Sequence, residues 1–461
     1  MKLKQIVILG SVSFTVLIIL ATIFYKERTV FTDIAFHLFY IVKEGNFAIQ
    51  NNRFGAIFTQ IFPVIGVKMN ASLDSIMLVY SVGFSIYYFI IFILIATVFK
   101  NRQLALIMLL WPVLFVSHTF YWIQSELPQG LAFMLLFFAF YDHVVNNNPS
   151  SVRWKFFIII ALFIVSGFHP ILFIPFTFIV LFKIISLENT KKKESKFLII
   201  LSVLLFLFTA IKSLFINTSG YETSALGGLH NFIKLFPNYI TLESNTNFII
   251  NCLRLYYFIP ILLAIVLYHY YKNGLKSKLW LTITFFFGYL LIVNVSYYHN
   301  APPHYIENLY LPLSIFILFP LIYDVIPNYK YSVQKVLIIF IVFAGIIRIY
   351  FIHSTYTERL NWEINYLEEN NKKLLVDNRL VPMDTLIDTW ATPYEFWLLS
   401  TSQNNESASV IFTDSIAPYY YWLPENKMFF IKTNLRYPYE EFDNEYFKFN
   451  DTLRYTVRTP D

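Results

Sequence analysis

Between Lys4 and Lys26 the chain carries no charged side chain, and runs of that kind recur along most of its length. About 20 apolar residues in a helix match the hydrocarbon thickness of a bilayer, and a helix satisfies its own backbone hydrogen bonds there. Runs near 5–25, 76–99, 103–121, 129–146, 156–168, 170–187, 197–216, 248–270, 279–297, 307–326 and 334–352 predict a polytopic α-helical membrane protein with eleven spans. Only 14% of the residues are charged and mean hydropathy is +0.55, whereas soluble domains carry about 25% charged residues.

Charge in the connecting loops orients the spans. Loops with Lys2/Lys4, Lys100/Arg102, Arg153/Lys155, Lys191–Lys193 with Lys196, Lys272/Lys276/Lys278 and Lys330/Lys335 read as cytoplasmic. The alternate loops at 122–128, 169 and 298–306 have no Lys or Arg. This pattern places the N-terminus inside and the C-terminus outside. The net charge of +6 is therefore a topology signal, and no nucleic-acid partner is expected. The N-terminal run ends without a small-residue cleavage site and reads as a retained signal anchor. Residues 156–187 are either two spans turning at Gly167-Phe168-His169-Pro170 or one kinked helix; basic residues at both ends favour two. The lone Cys252 allows no intramolecular disulfide.

The chain divides at residue 352. Residues 1–352 form the membrane domain; 353–461 are polar and read as a small extracytoplasmic α+β domain. In that domain 356–375 and Thr385–Ser402 read as helices, and Val410–Phe412, Phe429–Ile431 and Tyr446–Val457 as strands. The first outer loop, 26–74, holds a short amphipathic helix over Asp33–Lys43 with Ile34, Leu38 and Ile41 on one face. A second apolar piece, 55–68, is too short to span and suits the interface.

Ionisable residues gather on the outer side. Asp33 and His37 lie in the first loop, Glu126 in the second, His169 in the third, His230 in 217–247, and His299, His304, Tyr305 and Glu307 in or just past 298–306. Asp33 reads either as a helix cap or as a chemical group. Arg254 and Arg348 fall inside apolar runs, and Lys212 near the end of one. A cation there either snorkels to headgroups or holds an anion such as phosphate. No P-loop, Rossmann glycine pattern or His-Glu-x-x-His helix occurs, so nucleotide chemistry is not expected.

An inside N-terminus, one span, and then a long outer loop from Asp33-Ile34-Ala35-Phe36-His37 to Asn52-Arg53-Phe54-Gly55 resemble the polytopic GT-C glycosyltransferases. That group includes protein mannosyltransferases and aminoarabinose lipid A transferases. Asp33 matches the acid of their first outer loop, Glu126 a second acid, and His299–Tyr305 the late outer cluster. Members often have two adjacent acids where Ile34 follows Asp33 here, and an Arg-Tyr pair where His304-Tyr305 stands. The resemblance implies a multi-pass protein of a bacterial inner (plasma) membrane. It would move a sugar from a polyprenyl-phosphate donor to a glycan, lipid or protein acceptor at the outer face.

In that scheme Asp33 is the base, and Glu126 assists it or binds the acceptor. Arg53, Arg254 and Arg348 clamp phosphate, and His37, His169, His299, His304 and Tyr305 bind sugar or phosphate or are structural. No cofactor is called for; a divalent metal is left open. Two other classes fit a chain of this kind. A polysaccharide polymerase or ligase would act on lipid-linked glycans, with catalytic Arg and His in two large outer loops. A non-enzymatic lipid or solute transporter would show inverted repeats, and none is visible.

Overall fold

The computed structural model describes the chain except residues 124–125, 148–150, 188–191, 213–229, 300, 371, 404–405, 422, 424–426, 433–434, 443–444, 451 and 461. Residues 217–229 of the loop expected over 217–247 lie outside the described residues.

Among the described residues seven helices are long and apolar enough to cross a membrane: Leu3–Ile23, Leu73–Val98, Glu126–Asn147, Glu194–Ile211, Lys276–Ser296, Pro303–Asn328 and Tyr331–Glu369. An eighth crossing exists if Glu243–Arg254 and Phe258–Lys272 count as one, although they meet at 93°. The count of eleven is corrected by helix breaks. The runs at 103–121, 156–168 and 170–187 fold as Arg102–Leu114, Val152–Ser166 and Phe173–Ser186, of 13, 15 and 14 residues. The first two are shorter than the roughly 17 residues a crossing needs, and the third reaches 17 only with the 3-10 turn Pro170–Leu172 before it. The last two are separated at the expected Gly167–Pro170 break.

Tyr331–Glu369 is one unbroken helix of 39 residues. At 1.5 Å per residue it is about 58 Å long, nearly twice a hydrocarbon core. The expected boundary at 352 therefore falls inside a helix, not in a linker. Gly345 lets this helix pass Arg102–Leu114 closely: a Cβ there would sit 2.2 Å from the Val113 carbonyl oxygen.

Beyond it lies a three-stranded sheet, in the order β2 (Ser409–Thr413), β1 (Lys373–Asp377), β5 (Thr456–Arg458), with both pairings parallel. The helix Thr392–Ser402 connects β1 to β2, so the region read as a small α+β domain contains a β-α-β unit. Every residue of the central strand β1 is buried, as two-sided packing requires. An antiparallel pair, β3 (Met428–Lys432) and β4 (Leu435–Pro438), completes this part. The strand expected over Tyr446–Val457 is confined to its end, and the helix expected over 356–375 stops at Glu369.

The amphipathic helix forms over Thr32–Glu44 and ends at Gly45, whose φ of 60° suits a residue without a Cβ. Ile34, Leu38 and Ile41 are fully buried. So is Phe39, whose ring lies 5.2 Å from Trp397 and 5.4 Å from Phe429. The helix is held between the apolar bundle and the C-terminal region, which share one hydrophobic core. The piece at 55–68 folds as a 3-10 turn, Phe54–Ala56, and the helix Ile57–Lys68. Thr59 and Gln60 point inward; Phe58, Ile61 and Ile65 are exposed.

Candidate functional site

Thr32, just before Asp33, has φ 39°, a left-handed conformation that a β-branched residue adopts only under constraint. The constraint comes from the C-terminal region. The Thr32 amide donates to Glu395 Oε1 at 2.5 Å, and Arg359 donates to the Val30 carbonyl at 2.8 Å. Arg359 also pairs with Glu395 at 2.6 Å and Glu363 at 2.8 Å, all three fully buried. This buried cluster fixes where the helix Thr32–Glu44 begins, and so where Asp33 sits.

Asp33 opens into a cavity of ≈ 610 Å³. The cavity brings together seven of the ten site residues expected from sequence: Asp33, His37, Arg53, Glu126, His169, His304 and Tyr305. Burial pushes the Asp33 carboxyl up to about 7; the charges of Glu126 and Asp388 add to this, and a 3.0 Å hydrogen bond from Trp122 Nε1 opposes it. A carboxyl that titrates near neutrality is suited to accept a proton. Glu126 begins its helix and pairs with Arg53 at 3.1 Å, both largely buried.

The histidines are set by their neighbours. His37 Nδ1 lies 2.9 Å from the Ala48 carbonyl, which assigns the proton to Nδ1 and leaves Nε2 as an acceptor. Burial takes its pKa down to about 3, so it is neutral. His169 Nδ1 accepts the Ile171 amide at 3.2 Å, which puts its proton on Nε2. Burial, then the positive charges of Arg53 and Lys212, hold His169 well below the ordinary imidazole range. His304 meets Phe31 and Trp122 edge to face, at 4.7 and 4.9 Å. Tyr305 shares a 2.9 Å hydrogen bond with Tyr297.

The other three expected residues lie elsewhere. Arg254 and His299 are exposed and line a neighbouring cavity of ≈ 340 Å³, which shares Tyr297 and Ala301 with the first. Arg348 is not brought to either cavity. Its guanidinium donates to the carbonyls of Val113 (2.7 Å), Val116 (3.0 Å) and Leu255 (2.8 Å). The last four carbonyls of a helix have no partner within it, and Arg348 serves that need at the end of Arg102–Leu114. The phosphate-clamp expectation for Arg348 is corrected accordingly. Glu307 is likewise structural: it accepts from the amides of Ser117, His118 and Thr119 and from the Tyr256 hydroxyl.

Sequence reasoning missed Trp122, Asp388 and Trp390, which also line the main cavity. Asp388 and Trp390 come from the C-terminal region, and burial raises the Asp388 carboxyl. Asn51 and Asn52, with φ 48° and 53°, form the turn that presents Arg53, and the Asn-Asn pair was the available signal. Among the described residues no group of three His, Cys, Asp or Glu converges as a metal site. Comparisons with protein-family models, curated proteins and solved structures find no match to this chain.

The 52–55 segment also contributes to an apolar groove of ≈ 380 Å³. Phe54, Phe58, Phe163, Phe208 and Ile211 line it, and so does Lys212. The wall between groove and cavity is thin in sequence. Asn52 and Gly167 face the groove, whereas Arg53 and His169 face the cavity. The Gly55 amide ties the two loops by donating to the Gly167 carbonyl at 3.0 Å.

Proposed function

We propose that this chain is a membrane glycosyltransferase that moves a sugar from a polyprenyl-phosphate donor to an acceptor hydroxyl at the outer face of the membrane. The observation that carries the reading is the adjacency of an apolar groove, which Lys212 helps to line, and a polar cavity holding Asp33, Arg53 and His169, across two segments tied by the Gly55–Gly167 hydrogen bond. The isoprenoid lies in the groove, the phosphate between groove and cavity, and the sugar in the cavity. Asp33 takes the acceptor proton as the acceptor oxygen bonds to the anomeric carbon. The bond from that carbon to the phosphate oxygen breaks, and the cations stabilise the charge left on the phosphate. Neutral His37 and the Arg53–Glu126 pair position the sugar hydroxyls. The resemblance to GT-C enzymes agrees with this arrangement at the level of layout.

A polyprenyl phosphate carrying a photoreactive group on its isoprenoid tests the reading. With protein in lipid nanodiscs, crosslinks are expected in 54–58 and 163–167, competed by unlabelled polyprenyl phosphate and weakened by Lys212→Ala. Crosslinks that neither compete nor fall in these segments would overturn it.

A further inference from the structure

Arg28, in the helical turn Tyr25–Thr29, is 1% exposed. Its Nη2 donates to the Ser81 carbonyl at 3.1 Å, and its Cζ lies 4.0 Å from the centre of the Phe120 ring. Nε and Nη1 have no hydrogen-bond partner among the described residues, and no ion pair among them includes Arg28. A guanidinium does not give up its proton, so burial without a counter-charge is costly. The other two deeply buried arginines noted above are compensated: Arg348 by three carbonyls and Arg359 by the charges of two carboxylates.

Arg28 faces a cavity of ≈ 50 Å³ that is lined chiefly by apolar side chains, among them Phe84, Val116 and Ile123. Trp111 lines it as well; it is 1% exposed, and its Nε1 has no partner among the described residues. Three orphaned donor nitrogens, on two side chains from different segments, thus border one small chamber. Thr119, also on its wall, is committed through amide and hydroxyl to Glu307. A water needs about 10–15 Å³ of such space, so the chamber has room for a few waters, or for a monatomic ion that keeps one or two of them. The donors select an anion, the apolar walls one that sheds water readily, and the size excludes a phosphate attached to a chain.

We propose that Arg28 and Trp111 bind a chloride-sized anion that neutralises the buried guanidinium. The site is separate from the proposed sugar-transfer cavity and does not depend on that reading. Trp122 lines both chambers and donates to Asp33, so the anion would also brace the wall behind Asp33.

Thermal unfolding of the purified protein, in detergent at constant ionic strength, tests this with sodium chloride or bromide titrated against sodium gluconate. A saturable halide-specific rise in Tm is expected. Trp111→Phe keeps the ring and removes one donor; it should weaken the apparent halide affinity about tenfold. Arg28→Gln should abolish the dependence. If Arg28→Gln does not fold, Trp111→Phe decides alone. No halide-specific rise in the native protein, or an unchanged halide affinity in Trp111→Phe, would overturn the proposal.

Discussion

Asp33 and Trp122 show how two side chains set a titration. The Trp122 N–H stabilises the ionised carboxylate, so it lowers the Asp33 pKa against the larger effect of burial. If ionised Asp33 is the base, transfer rises with pH through about 7. Trp122→Phe removes the hydrogen bond, favours the protonated form, and should move that rising limb about one pH unit more alkaline. A pH–rate profile of the two proteins measures it. An unmoved limb would mean that the rate does not report Asp33. The polar residues of this site were legible because each stands alone in apolar surroundings, as Asp33, Glu126 and His169 do. Trp122 was not, since an aromatic near a span end gives no pattern of its own. Arg348 misled because sequence shows that a cation is deep but not that helix-end carbonyls await it.

The elements were legible in kind and less so in extent. The periodicity of Asp33–Lys43 predicted a helix with one buried face, and Ile34, Leu38 and Ile41 are buried. The pattern left Phe39 unexplained. It lies on the side that meets the C-terminal region, between Trp397, Phe429 and Phe447. Phe39→Ala should cost about 3–5 kcal/mol of stability, read as a lower Tm, and should loosen Asp33 by freeing the helix that carries it. A loss below about 1 kcal/mol would mean that the contact is dispensable. Span counting failed where hydropathy sums through a break. The run 103–121 passes the helix end at Leu114, and 248–270 passes the 93° bend between Arg254 and Phe258, whereas at Gly167–Pro170 the break was expected but the helices beside it are too short to cross. The residues closing the cavity from the C-terminal region were hidden for a related reason. Asp388 and Trp390 reach it only because a 39-residue helix carries that region to the same end of the bundle as Asp33.

For the molecule as a whole, short helices and loops set among helices of crossing length bring a carboxyl, Arg53, Lys212 and an apolar groove to two neighbouring cavities, and the C-terminal region locks the helix bearing the carboxyl. Folding and chemistry are separable in that design. Thr32 and Arg359 carry the lock, whereas the Asp33 side chain faces the cavity. Asp33→Asn keeps shape and volume and removes only the capacity to take a proton. The decisive measurement is sugar transfer by purified Asp33→Asn protein in nanodiscs, supplied with a radiolabelled polyprenyl-phosphate sugar to which the native protein responds. The account predicts a fall of at least about a hundredfold in kcat, as loss of a general base brings, with the fold and lipid crosslinking retained. Native-like kcat in a folded Asp33→Asn protein would contradict it.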